Sequence, residues 1–156
     1  MEEPTMRKAT AWPVAFALPL LVAASAHAHC QVPCGIYDDA ARLAQLREDA
    51  ATISKAITSI NELAGKHEAE ALNQATRWIM TKEEHASHII QVVSEYFLTQ
   101  KLKEVAAGAE GHADYLAALA DHHLVMRAAM KTKQGSSPQS AAALDAAIEQ
   151  LAKRWQ

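Results

Sequence analysis

DDAARLAQLREDAATISKAITSINELA, residues 38–64, decides the fold of this chain. Its apolar residues Leu43, Leu46, Ala50, Ile53, Ile57, Ile60 and Ala64 step alternately by three and four, which lays one continuous stripe along a helix. Asp38 and Asp39 stand at the positive end of that helix, and Gly65 suits its C-terminal cap.

Three more stretches downstream read as helices. Over 68–100, Leu72, Ala75 and Ile79 begin a stripe that Ile89, Val93 and Tyr96 continue, with Lys82 interrupting it. Thr81-x-x-Glu84 has the form of a capping box, so two abutting helices are compatible with this stretch. Residues 101–111 form a connection. A helix over 112–132 presents Leu116, Leu119, Met126 and Met130; one over 139–154 presents Ala141, Leu144, Ile148, Leu151 and Trp155. Four amphipathic helices with mostly short connections predict an all-α, up-down-up-down four-helix bundle over residues 38–156. Ile90, Val92 and Phe97 lie off the main stripe, and their exposure on a lone bundle would point to contacts between subunits.

Composition agrees. Half of the residues are hydrophobic, many of them Ala and Leu, and 21% are charged, which excludes a disordered chain. Five Gly and five Pro leave little material for the turns of an all-β fold. A net charge of −3 offers no basic face for nucleic acid. Two cysteines cannot build a disulfide scaffold or a four-thiolate zinc site.

Residues 11–24, AWPVAFALPLLVAA, follow Arg7 and Lys8 and precede Ser25-Ala26-His27-Ala28. A basic start, an uncharged apolar run and a small-x-small site read as a secretory leader, 1–28, removed after Ala28. The run is short for a membrane crossing and carries Pro13 and Pro19, so no membrane association is expected after processing. The mature chain would be exported, to the periplasm or another extracytoplasmic space; the alternative is the cytoplasm.

The mature chain would begin His29-Cys30-Gln31-Val32-Pro33-Cys34-Gly35-Ile36-Tyr37, an irregular hook over 29–37 that contains both cysteines. Pro33 and Gly35 favour a bend that brings Cys30 and Cys34 together. Cleavage frees an amine on His29. An amine, a deprotonated amide and two thiolates form a planar donor set suited to Ni(II) or Cu(II), with the His29 imidazole able to cap an axial position. A Cys30–Cys34 disulfide and a zinc site are the plainer readings of the same residues; the first would constrain little chain and the second is short of ligands.

The pattern His-Cys-x-x-Pro-Cys-Gly-x-Tyr ahead of a four-helix bundle resembles nickel superoxide dismutase over the whole mature chain, His29–Gln156. The resemblance implies a nickel ion held by the His29 amine, the Cys30 amide nitrogen and the Cys30 and Cys34 thiolates, with the His29 imidazole joining on oxidation. It implies superoxide as substrate, Ni(II)/Ni(III) cycling, a homohexamer and a maturation protease for the leader. Tyr37 falls on the hook tyrosine that stands over the open face of the metal, and Tyr96 resembles a second tyrosine near the site, a bundle-core aromatic being its other reading. Gln31 stands where some members carry Asp, and Gln45 and His85 where some carry the Glu and Arg that steady the axial imidazole.

The remaining histidines invite plainer readings. His67 reads as a surface residue at a helix start, and His112, His122 and His123 as solvated or hydrogen-bonded. His85 and His88, three apart, could bind a metal, but no carboxylate partner is obvious. No Glu-x-x-His pair is present, which argues against a di-metal carboxylate bundle. The alternative function is an exported helical interaction protein, or a metal carrier using the same cysteines without catalysis.

Overall fold

The computed structural model describes residues 38–155. The leader 1–28 and the hook with His29, Cys30, Cys34 and Tyr37 lie outside the described residues. Helix α1 runs Asp39–Leu63, α2 Ala69–Gln91, α3 His112–Lys133 and α4 Pro138–Ala152. A π-helical segment, Val92–Lys101, continues α2 without a gap. α1 packs on α2 and α4, and α3 packs on the same two, so sequence neighbours are spatial neighbours and the first and last helices close the bundle.

Local sequence sets the helix ends. Asp38 caps α1 through a bond from the Ala41 N–H to its Oδ1 at 2.6 Å, satisfying a donor left open by the first turn. Gly65, at φ 81°, takes the left-handed conformation that ends the helix, as the sequence leads one to expect. Pro138 opens α4 at a position where its missing N–H costs nothing.

The core joins the predicted faces of α1 and α4. Leu43, Leu46, Ala50, Ile53 and Ile57 are buried on α1, as are Ala141, Leu144, Ile148 and Leu151 on α4. Val92, Val93, Tyr96 and Phe97 of the π segment are all buried among them, and Ile90 packs against the same cluster. This corrects the expectation that Ile90, Val92 and Phe97 would be surplus to a lone bundle: Val92 and Phe97 are buried inside it and Ile90 is partly buried against its core. The converse correction falls on Leu72, Ile79, Leu116 and Met130, expected in the stripes of α2 and α3 but exposed by 39–52%. From Ala69 to Thr81, Ala71 is the one buried residue, so the first half of α2 is flanked by the bundle and not enclosed by it.

Two irregularities on the second helix have physical causes. No break occurs at Thr81–Glu84; α2 runs straight through. Lys82 is buried there because its ammonium donates to the carbonyls of Thr132 at 2.6 Å and Lys133 at 3.1 Å, the open acceptors at the end of α3, and to Glu83 at 2.8 Å. The change of geometry comes ten residues later, where the bonding shifts to i→i+5, as in the Leu102 N–H to Phe97 carbonyl bond of 2.8 Å that closes the segment.

Candidate metal centre

α1 and α2 face each other across a polar seam near the start of the bundle. Asp49, 5% exposed, sits on the buried face of α1 between Leu46 and Ile53. Its Oδ1 accepts from Nδ1 of His85 at 2.6 Å and its Oδ2 from Nδ1 of His88 at 2.7 Å. One carboxylate therefore grips two imidazoles presented by consecutive turns of α2. Gln45, one turn before Asp49, places its Nε2 3.2 Å from Nε2 of His88. With the Nδ1 proton of His88 directed at Asp49, Nε2 of a neutral ring is the acceptor in that contact.

The seam opens into two adjoining cavities. One, of about 520 Å³, is lined by Gln45, Asp49, Glu84, His85 and His88. The other, of about 160 Å³, is lined by Arg42, His88, Glu95, Tyr96 and Gln100. His88 and Gln91 border both.

At the far end, the Tyr96 hydroxyl donates to Asp39 Oδ1 at 2.8 Å, and the Lys101 ammonium lies 3.1 Å from the same oxygen. The Tyr96 ring is buried and meets Phe97 edge-on at 5.0 Å. Its phenol is pushed up to about 12, first by burial and then by the Asp39 carboxylate that accepts its proton. The core reading of the Tyr96 ring holds, and its hydroxyl reaches Asp39 in the first turn of α1.

The structure brings Gln45 and His85 to the same cavity. Sequence reasoning missed Asp49, and with it the carboxylate partner that His85 and His88 do have, 36 and 39 residues away along the chain. The available signal was Asp49 itself, a carboxylate on the buried side of an otherwise apolar stripe. His122 is fully buried in a different region: its Nδ1 donates to the Ala118 carbonyl at 2.7 Å and its Nε2 accepts from Trp155 at 3.3 Å. Both nitrogens are used, and burial lowers the pKa, so this ring is a neutral structural group. His112 is held by the Val105 carbonyl at 2.7 Å.

Among the described residues no group of three or more His, Cys, Asp or Glu side chains converges in a way that could hold a metal ion. Asp49 occupies one nitrogen of each seam imidazole. The chain's two cysteines, Cys30 and Cys34, lie in sequence with His29 within 29–37, and sulfur and nitrogen donor types of that kind suit nickel.

The described chain is a helical bundle, and both cysteines precede it in sequence. The family model for nickel-containing superoxide dismutase matches residues 24–156, and the chain belongs to that family. Nickel is accordingly its cofactor and superoxide its substrate. No curated protein and no solved structure matches the chain.

Proposed function

We propose that the enzyme would hold its nickel in the hook, through the α-amine of His29, the amide nitrogen of Cys30 and the thiolates of Cys30 and Cys34, with the His29 imidazole as a further ligand. The observation that carries this reading is the family match, which spans the hook as well as the bundle and takes in both cysteines of the chain. Nickel in such a donor set supplies the redox chemistry of both half-reactions by alternating between Ni(II) and Ni(III).

The chain's own residues do the rest. Anionic sulfur and amide donors favour the higher oxidation state, and the His29 ring favours it further. Tyr37, which falls on the family's hook tyrosine, would order the incoming anion. Tyr96, whose hydroxyl donates to Asp39 and holds its proton tightly, keeps a neutral hydroxyl beside the first turn of α1 and so adds no negative charge that would repel superoxide. The leader directs export and is removed after Ala28 by a maturation protease. The mature chains assemble as a hexamer.

The test is the new N-terminus. Three proteins are made: one starting at His29, one at Ala28, and one with His29→Ala and a free amine. The first is expected to bind one nickel and to be active. The second replaces the amine, of pKa roughly 8, by a far less basic amide and should lose both nickel and activity. The third should keep nickel and lose turnover. Full activity in the protein starting at Ala28 overturns the assignment.

A further inference from the structure

We propose that this chain docks on a second copy of itself head to tail, with the projecting half of α2 in one copy lying against α3 and the α3–α4 groove of the next. The proposal rests on the reading that the mature chains assemble, and names the two surfaces that meet.

The first surface is an overhang. Phe97 packs near His122 and Lys82 bonds the Thr132 and Lys133 carbonyls, so α2 with its π extension runs antiparallel to α3, and residues 69–81 continue past the point where α3 stops. Within them Ala71 alone is buried. Leu72 and Ile79 stand seven residues apart on one side of this overhang, exposed, with the small Ala75 between them. At its tip, exposed Glu62, Glu68 and Glu70 outweigh exposed Lys66 by two charges.

The second surface has the opposite charge. Along α3, Leu116, Ala120, Leu124, Arg127 and Lys131 recur every three or four residues, and all five are exposed. The stripe ends in a groove of about 450 Å³ between α3 and α4, where Leu124, Arg127 and Lys131 stand beside the small side chains of Ala128, Ser140 and Ala143. Its lining holds two cations and no carboxylate, and neither cation makes an ion pair or hydrogen bond among the described residues. Small residues let a second helix approach closely.

The two surfaces match in length, chemistry and sign. Residues 69–81 extend over about 20 Å of helix and residues 116–131 over about 22 Å. Laid antiparallel, the acidic tip falls on Arg127 and Lys131, Leu72 on the groove beside Leu124, and Ile79 on the turn with Ala120. Each apolar face is then covered and each unpaired charge meets its opposite. Like surfaces do not serve each other: two grooves face to face would bring four cations together without a counter-charge. Overhang on groove is a heterologous contact. It leaves every copy with one of each surface, and a ring satisfies them all.

The experiment uses the nickel-loaded mature protein, with size read by light scattering and folding by circular dichroism. Leu72→Glu/Ile79→Glu spoils the overhang and Arg127→Glu/Lys131→Glu spoils the groove; all four side chains are exposed. Each variant alone should keep the wild-type helix content and give a species smaller than wild type. Mixed in equal amounts, the two should form a mixed complex larger than either, because the intact overhang of one meets the intact groove of the other. Adding Glu68→Lys/Glu70→Lys to Arg127→Glu/Lys131→Glu in one chain exchanges the signs and should restore the wild-type size. An assembled wild type whose size neither variant reduces, or a pair of variants that does not combine on mixing, overturns the head-to-tail contact and leaves the assembly reading standing. A monomeric wild type overturns both. Nickel per chain, measured on the same samples, reports on the hook independently.

Discussion

The ammonium of Lys82, from the middle of α2, lies 2.6 Å from the carbonyl oxygen of Thr132 in the last turn of α3. A charge that reads in sequence as an interruption of an apolar stripe is thus the cap of another helix. Its stem fills the gap between α2 and α3, while its three protons find the Thr132 and Lys133 carbonyls and Glu83.

Replacing Lys82 by Met keeps the stem and removes the donor. The end of α3 would keep buried carbonyls without a partner, at a cost of about 2 kcal/mol. Urea unfolding followed by circular dichroism measures this directly. A change below about 0.5 kcal/mol, the range of ordinary surface substitutions, would show that water replaces the ammonium without loss.

His122 makes stability depend on pH. Burial holds its folded pKa below the ordinary value of 6.5, so the unfolded chain takes up the proton first as the pH falls. This contribution is intact above about pH 6.5 and is lost below it, down to the depressed folded value, with a slope of at most about 1.4 kcal/mol per pH unit. His122→Gln should be less stable than wild type at pH 7.5 and lose less stability on acidification. Parallel curves for the two proteins would contradict the buried neutral ring.

The Tyr96 phenol should ionise above the ordinary tyrosine value of 10.0. A near-ultraviolet titration of wild type minus Tyr96→Phe should give a midpoint near 12. Asp39→Asn should bring the midpoint down without reaching the ordinary value of 10.0, because burial, the larger cause, remains. Since the folded state holds this proton more tightly, stability should fall as the pH rises from about 10 to 12. An unchanged midpoint in Asp39→Asn would remove the carboxylate from the account.

Leu72 and Ile79 lie two turns apart on one exposed face of α2, 52% and 44% exposed, with Met80 beside them at 66%. If the chain assembles as a hexamer, this face is where apolar burial would reward association. Light scattering of the mature protein is expected to give six chains, and Ile79→Glu with Met80→Glu a smaller species of unchanged helix content. A monomer at micromolar concentration would contradict the assembly.

The sequence by itself determined the helices and the family. The stripe of α1, the acidic pair at its start and the Gly65 stop are local features, each set by residues within a turn or two, and the structure reproduces them. The hook pattern at His29–Tyr37 pointed to the nickel enzymes through nine adjacent residues, and the family match covers them. Tertiary structure alone decided which faces are buried and which polar groups meet. Val92 and Phe97 turn inward because the π segment seats them among α1, α3 and α4, while Leu72 and Ile79 stay outside because nothing in the described chain covers them. Asp49 grips His85 and His88, and Lys82 caps α3, across separations of 36 to 51 residues. Periodicity fixes a stripe relative to its own helix axis; it holds no information on the neighbour's position, and a buried charge is stable only where that neighbour supplies its partner.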